Sequence, residues 1–227
     1  MIVDLNIQGK SVLVIGAGVE GTRKVRALLG QGCRSITVIS SRFNRSLLDL
    51  AKEGKITLIK KSVKDASILD EFKGERPFIV MAATNDRSLN RVIVEKAKTM
   101  GILAYASDDP AISDFIHPAV INIHDTLFIA ISTRGSSPAM ARVLRIKAER
   151  VLKRLIREED IEMIRLADYA RGIAMKHIND IHARKDYIYS VIKDREIAEM
   201  LKVKRVEEAK ARALSLLSSY SYGGNAK

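Results

Sequence analysis

Over the first 130 or so residues, short apolar runs alternate with stretches of helical spacing, and then the pattern changes. The runs "SVLVIG" (11–16), "SITVIS" (35–40), "KITLIKK" (55–61), "PFIVMAA" (77–83), "ILAYAS" (102–107) and "TLFIAIS" (126–132) predict strands. Between them, 19–31, 43–53, 66–73 and 86–100 carry apolar residues at helical spacing. Near-continuous apolar strands separated by helices imply a parallel sheet covered on both faces. Right-handed crossovers then close it as an α/β, Rossmann-type doubly wound sheet. From about 137 to 219 no strand signal appears, and Gly172 is the single glycine. Helices are predicted there at 137–157, 159–180, 184–192, 194–201 and 203–219. Met163, Leu166, Ala167 and Ala170 recur at three and four, so these helices present apolar faces that need a partner. The expected organisation is a dinucleotide-binding domain over 1–112, a strand-containing central or dimerisation segment over 113–145, a helical C-terminal domain over 146–219 and a disordered tail over 220–227.

Charge sharpens this picture. The chain has 227 residues, with 39 Lys and Arg against 27 Asp and Glu, a net charge of +12. Such a surface favours polyanions. Residues 141–227 alone hold 20 Lys and Arg against 13 Asp and Glu, so a cleft in that part would attract a polycarboxylate. Aromatic content is only 5%, which argues against base-stacking platforms, and 137–219 lacks a helix-turn-helix signature. No nucleic-acid partner is expected. The apolar runs are far shorter than a membrane span needs, and Asp4 leaves no room for a signal-peptide core, so no membrane partner is expected. The single cysteine, Cys33, excludes an intramolecular disulfide and suits a reducing cytoplasm.

The first candidate chemistry lies in "VLVIGAGVEGTRKVRALLGQG", a full G-x-G-x-x-G placed after a strand and opening a helix. Gly16 suits the tight turn, Gly18 lets a pyrophosphate approach the backbone, and Gly21 lets helix and strand pack closely. With Val19 and Glu20 these residues form the expected phosphate cradle at a helix N-terminus. Ala83, Thr84 and Asn85 lie at the carboxyl end of the fourth strand, where a nicotinamide and ribose would sit, although Asn85 and Asp86 would equally well cap the next helix. The second strand ends in Ser40, Ser41 and Arg42 instead of the acid that usually holds an NAD ribose. The serines suit ribose hydroxyls, whereas Arg42 would suit a 2′-phosphate. Both NAD and NADP stay open on the residues alone.

"VDLNIQGKSVLVIGAGVEGTRKVRALLGQG", "MAATNDRSLN", "SDDPAISDFIHPAVI" and "LFIAISTRGSSPAMARVLR" resemble, in this order and spacing, the precorrin-2 dehydrogenase family, the sirohydrochlorin-forming module of siroheme synthase. The resemblance is close over residues 1 to 150 and looser beyond. Its most specific parts run from Asp108 to Ala119 and from Ile131 to Arg142. It implies oxidation of precorrin-2 to sirohydrochlorin in siroheme synthesis, with NAD as acceptor in preference to NADP. It also implies an octacarboxylate tetrapyrrole substrate and a homodimer. Some members insert ferrous iron as well, so a bifunctional dehydrogenase and chelatase is the alternative within the family. A nucleotide-sensing regulatory protein is the alternative outside it.

The family's essential aspartate falls on Asp108, with Asp109 adjacent, and its role would be that of a general base. On the residues alone, Asp108 stands at the ligand end of a strand, where a carboxylate can act as a base; the other readings are a loop or helix cap before Pro110 and an oxygen ligand to a metal. Tyr105 stands where the family often has Asn. His117 is a candidate for substrate contact or for plain packing. Ser132, Thr133 and Gly135, before a cap at Ser136 or Ser137 and Pro138, are placed near the substrate by the resemblance. His124, His177, His182 and Cys33 show no metal-ligand spacing, and no metal site is expected.

Overall fold

The computed structural model describes residues 2–221. The chain divides into two units, Met1–His117 and Pro118–Lys227. In the first, β1 (Ser11–Ile15), β2 (Ser35–Ser40), β3 (Thr57–Lys60), β4 (Ile79–Ala82) and β5 (Leu103–Ala106) form one sheet in the order β3-β2-β1-β4-β5. All four pairings are parallel. This is the order of a mononucleotide-binding half extended on one side, and it reverses between β1 and β4, where the carboxyl ends leave a crevice.

Each strand alternates its side chains between two cores. Val12, Val14, Val38, Ile79 and Met81 face α1 (Val19–Leu28) and α2 (Arg45–Lys52) through Val25, Leu28 and Leu47. Leu13, Ile15, Ile39, Val80 and Ala104 face α3 (Arg87–Thr99) through Ile93, Val94 and Ala97. Burial on both faces is why these strands read as continuous apolar runs. The segment expected as a helix over 66–73 is a 3₁₀ helix, Ala66–Phe72, started by Asp65, whose carboxylate accepts from the Ser67 amide at 2.7 Å.

The second unit opens with a hairpin the sequence reading did not resolve. β6 (Ala119–Ile123) pairs antiparallel with β7 (Leu127–Ile131), so the run at 126–132 belongs to a separate two-stranded sheet and not to the parallel one. In the three-residue turn 124–126, His124 and Asp125 take φ of 53° and 51°, and the Thr126 amide donates to the Ile123 carbonyl at 3.2 Å. Ile121 and Ile123 pack with Leu152 of α4 (Pro138–Leu155) and Ile161 of α5 (Glu158–His177). The remaining core joins α5 to α6 (Ile181–Lys193), α7 (Arg195–Lys202) and α8 (Val206–Ser221) around Tyr187, whose hydroxyl donates to the Ala213 carbonyl at 3.0 Å. Tyr220, expected to belong to the tail, lies in α8 and packs on Tyr187 with ring centroids 5.7 Å apart. Residues 222–227 lie outside the described residues.

Candidate active site

Two glycines are fixed by what surrounds them. Gly16 ends β1 with φ of +110°, and a Cβ there would lie 2.2 Å from the Ala83 carbonyl oxygen. A Cβ on Gly21 would lie 2.0 Å from the Gly16 carbonyl oxygen, which is the close approach of α1 to β1. Gly18, the N-cap of α1, differs: nothing lies within 4 Å of its missing side chain. That open backbone in front of a helix N-terminus fits a pyrophosphate.

A cleft opens above these residues, lined by Gly16 and Gly18 from the turn after β1, Ser40 and Ser41 at the end of β2, and Ala83, Thr84 and Asn85 from the segment after β4. Asp86, and not Asn85, caps α3, accepting from the Leu89 amide at 3.0 Å, so Asn85 is left facing the cleft. Val19 is exposed at the first helical position, and Glu20 is held by Arg23 at 2.5 Å; neither lines the cleft. Arg42 is exposed and also stands outside the lining, while Lys61, which is inside it, is ion-paired with Glu71.

At the adjoining edge, Asn90 of α3 is fully buried and spends its whole amide on the site. Its Oδ1 accepts from the Thr84 amide (3.0 Å) and the Thr84 hydroxyl (2.7 Å), while Nδ2 donates to the Thr84 carbonyl (3.1 Å) and to Asp108 Oδ1 (3.0 Å). One side chain therefore fixes the end of β4 against the loop after β5. Asp108 is exposed, and its Oδ2 has no partner among the described residues. Asp109 is occupied: it caps the following turn through the Ala111 amide (3.0 Å) and faces Arg87 at 3.4 Å. Of the two aspartates, Asp108 is the one with a free carboxylate oxygen.

Next to Asp108 lies a cluster the sequence reading did not assemble. Tyr105 stacks on Phe115 (5.5 Å between centroids) and meets the edge of His117 (5.0 Å). Lys24 of α1 is only 2% exposed and sits 4.2 Å above the Tyr105 ring. The aromatic ring thus takes the place of the Asn often found at 105. Crowding around the His117 ring, with Lys24 and Arg23 beside it, lowers its pKa to about 4, although the residue keeps an exposed side. Burial, then the Arg23 charge, lowers Lys24 to about 8. A lysine on an amphipathic helix reads as solvated, so only tertiary packing reveals this one.

In the second unit, Ser132, Thr133 and Gly135 build the turn into α4. Ser132 Oγ accepts from the Arg134 amide (3.1 Å), Thr133 Oγ1 accepts from the Ser137 amide (3.1 Å), and Gly135 takes φ of 84°. Ser137 is the cap, accepting from the Met140 amide at 3.3 Å, with Pro138 following it.

Residues 3–119 match a family of proteins described as "Putative NAD(P)-binding". A precorrin-2 dehydrogenase of Methanosarcina barkeri is 30% identical over 223 residues, covering 97% of this chain and 95% of that protein. A siroheme synthase of Nitrosococcus oceani is 33% identical over 205 residues; the match takes in 90% of this chain but spans only 41% of that longer protein. The solved structure of SirC, precorrin-2 dehydrogenase, superposes with a TM-score of 0.67 at 22% identity, over 97% of this chain and 100% of that one. It shares the fold.

Proposed function

The chain belongs to the precorrin-2 dehydrogenase family of NAD(P)-binding proteins, and from that premise we propose that it oxidises precorrin-2 to sirohydrochlorin, with Asp108 as general base and NAD as acceptor. Bound in the cleft, a nicotinamide supplies a hydride acceptor. The glycine cradle would hold its pyrophosphate, and Ala83, Thr84 and Asn85 would flank the ring end. The oxidation removes a hydride and a proton from the substrate, and the proton needs its own destination. Asp108 Oδ2 is suited to take it: the carboxylate is pinned through Oδ1 by Asn90, leaves its other oxygen without a partner among the described residues, and is joined to Thr84 by two hydrogen bonds through Asn90. That pinned, half-free carboxylate is the observation that carries the assignment.

NAD is favoured over NADP by the neutral hydroxyls of Ser40, Ser41 and Ser62 at the ribose end. The cation there, Lys61, is already neutralised by Glu71, and Arg42 stands outside the lining. A 2′-phosphate would find no uncommitted cation in the lining itself.

The test supplies precorrin-2 with NAD and, separately, with NADP, and follows sirohydrochlorin absorbance. Turnover with NAD exceeding that with NADP is expected; a folded protein giving no product with either overturns the reading. Asp108→Asn should lower kcat by roughly 10²–10⁴-fold, the usual worth of a general base, with NAD affinity retained. Asp109→Asn should keep most of the activity, and the reverse result would move the base to Asp109.

A further inference from the structure

Among the described residues, Lys24 is the only buried charged side chain, and no carboxylate pairs with it. The nearest acid on its own helix, Glu20, is committed to Arg23 through two contacts, at 3.1 and 2.5 Å. Its Nζ is not among the fully buried polar atoms, so the ammonium keeps a narrow solvent contact while the rest of the side chain is enclosed. Stripping most of the water from an unpaired ammonium is costly, and the Tyr105 ring returns only part of that cost. A Met or Leu would fill the same space without it. The position therefore suits an anion that comes from outside the chain. Resting on the tetrapyrrole reading above, we infer that Lys24 binds a carboxylate of the substrate, on the α1 face of the sheet beside Asp108.

Position favours a substrate carboxylate over the phosphates of the dinucleotide. Lys24 does not line the cleft that holds the glycine cradle. It lies six residues beyond the N-cap Gly18, about 9 Å along the helix axis at 1.5 Å per residue. Its ammonium points over β5, and β5 leads through Tyr105 to Asp108; the Asp108 charge is felt at the Tyr105 phenol. An anion held there would anchor one edge of a polycarboxylate whose reacting carbon lies at Asp108. Through His117, the same cluster reaches the surface.

The groups facing Lys24 are Arg23 and Glu20 on α1, Tyr105 on β5 and His117 on the segment that follows. His117, at about 4, stays neutral through the neutral range, and burial raises the Tyr105 phenol above its usual 10. Lys24, at about 8, is the member of this cluster that loses its proton between pH 7 and 9. The ammonium is present below that value, so anion affinity should be greatest near pH 7 and fall as pH rises through 8, by about tenfold at pH 9.

The experiment titrates the full chain with uroporphyrin, an octacarboxylate porphyrin, by fluorescence anisotropy, alongside an NAD titration. Lys24→Met, which removes a buried charge and keeps the volume, should weaken uroporphyrin binding at least tenfold at pH 7 and leave NAD affinity unchanged. Lys24→Arg should restore binding and abolish its loss between pH 7 and 9. Unchanged uroporphyrin affinity in Lys24→Met overturns the inference, as does an equal loss of NAD binding, which would assign Lys24 to the dinucleotide. If Lys24→Met fails to fold, a wild-type affinity that is flat from pH 7 to 9, or one that falls equally in Lys24→Arg, overturns it. Wild-type protein that binds no uroporphyrin but does bind NAD sinks the tetrapyrrole reading itself, and this inference with it.

Discussion

Asn90 makes four hydrogen bonds from a fully buried position, three to Thr84 after β4 and one to Asp108 after β5. Removing the side chain would strand the Thr84 amide and carbonyl without protein partners, while the Thr84 hydroxyl keeps Asp86, and would release Asp108. Leaving buried polar groups unsatisfied costs about 1–3 kcal/mol each, so Asn90→Ala should lower unfolding stability by roughly 2–4 kcal/mol, read as a reduced urea midpoint. Asn90→Asp is the more instructive variant. It keeps acceptors for Thr84 but loses the donor to Asp108 and places two carboxylates side by side. It should therefore depress kcat more than it depresses NAD affinity. Equal loss of both would mean that Asn90 only shapes the cleft and does not position the base.

At the scale of elements, the turn between β1 and α1 separates fold from function at single glycines. Gly21→Ala would drive a methyl into the Gly16 carbonyl and push α1 away from β1, with an expected loss of roughly 2 kcal/mol or more, typical of a backbone clash in a packed core. Gly18→Ala meets open space, so it should fold with stability changed by no more than about 0.5 kcal/mol. Its methyl would occupy the approach to the phosphate cradle, and NAD affinity should fall at least tenfold. Thermal melts beside NAD titrations check the pair, and a Gly18→Ala protein that binds NAD normally would remove the cradle assignment. This turn was legible in the sequence because its glycines report backbone geometry directly. β1, β4 and β5 were legible for a related reason: burial on both faces leaves few polar positions to break the apolar run. β6 was hidden. "AVINI" alternates and is short, and its turn uses His124 and Asp125 in left-handed conformations where glycine or asparagine normally signals a hairpin. Asn90 and Lys24 were hidden for a different reason. Each looks like an ordinary polar position of an amphipathic helix, and only the tertiary neighbours, Thr84 with Asp108 and Tyr105 with His117, reveal what it does.

At the scale of the whole molecule, the second unit buries one face of its hairpin and of α4 and leaves the other apolar. Outward from the buried Ile121 and Ile123, Phe128 is 60% exposed, and Val120 beside it is also exposed. Along α4, Met140, Leu144, Val151 and Leu155 recur at helical spacing on one exposed stripe, with Val151 at 64% and Leu155 at 69%. Single exposed apolar residues are ordinary, but an aligned stripe on a helix together with a sheet face marks an association surface. The homodimer is our reading of that surface: a C2 interface applies the same patch twice, so each exposed residue is covered by its own repeat on the second copy. A chain at +12 repels its copies, so self-association has to rest on apolar contact at this patch. The full chain should sediment at twice its 25.2 kDa mass. A Val151→Asp, Leu155→Asp double variant should sediment as a single chain, because two carboxylates would then be forced against their symmetry mates. NAD binding should survive the change, since the cleft belongs wholly to the first unit. A wild-type protein that sediments as one chain at micromolar concentration would leave the stripe to some other partner, and a double variant that remains dimeric would place the interface elsewhere on the molecule.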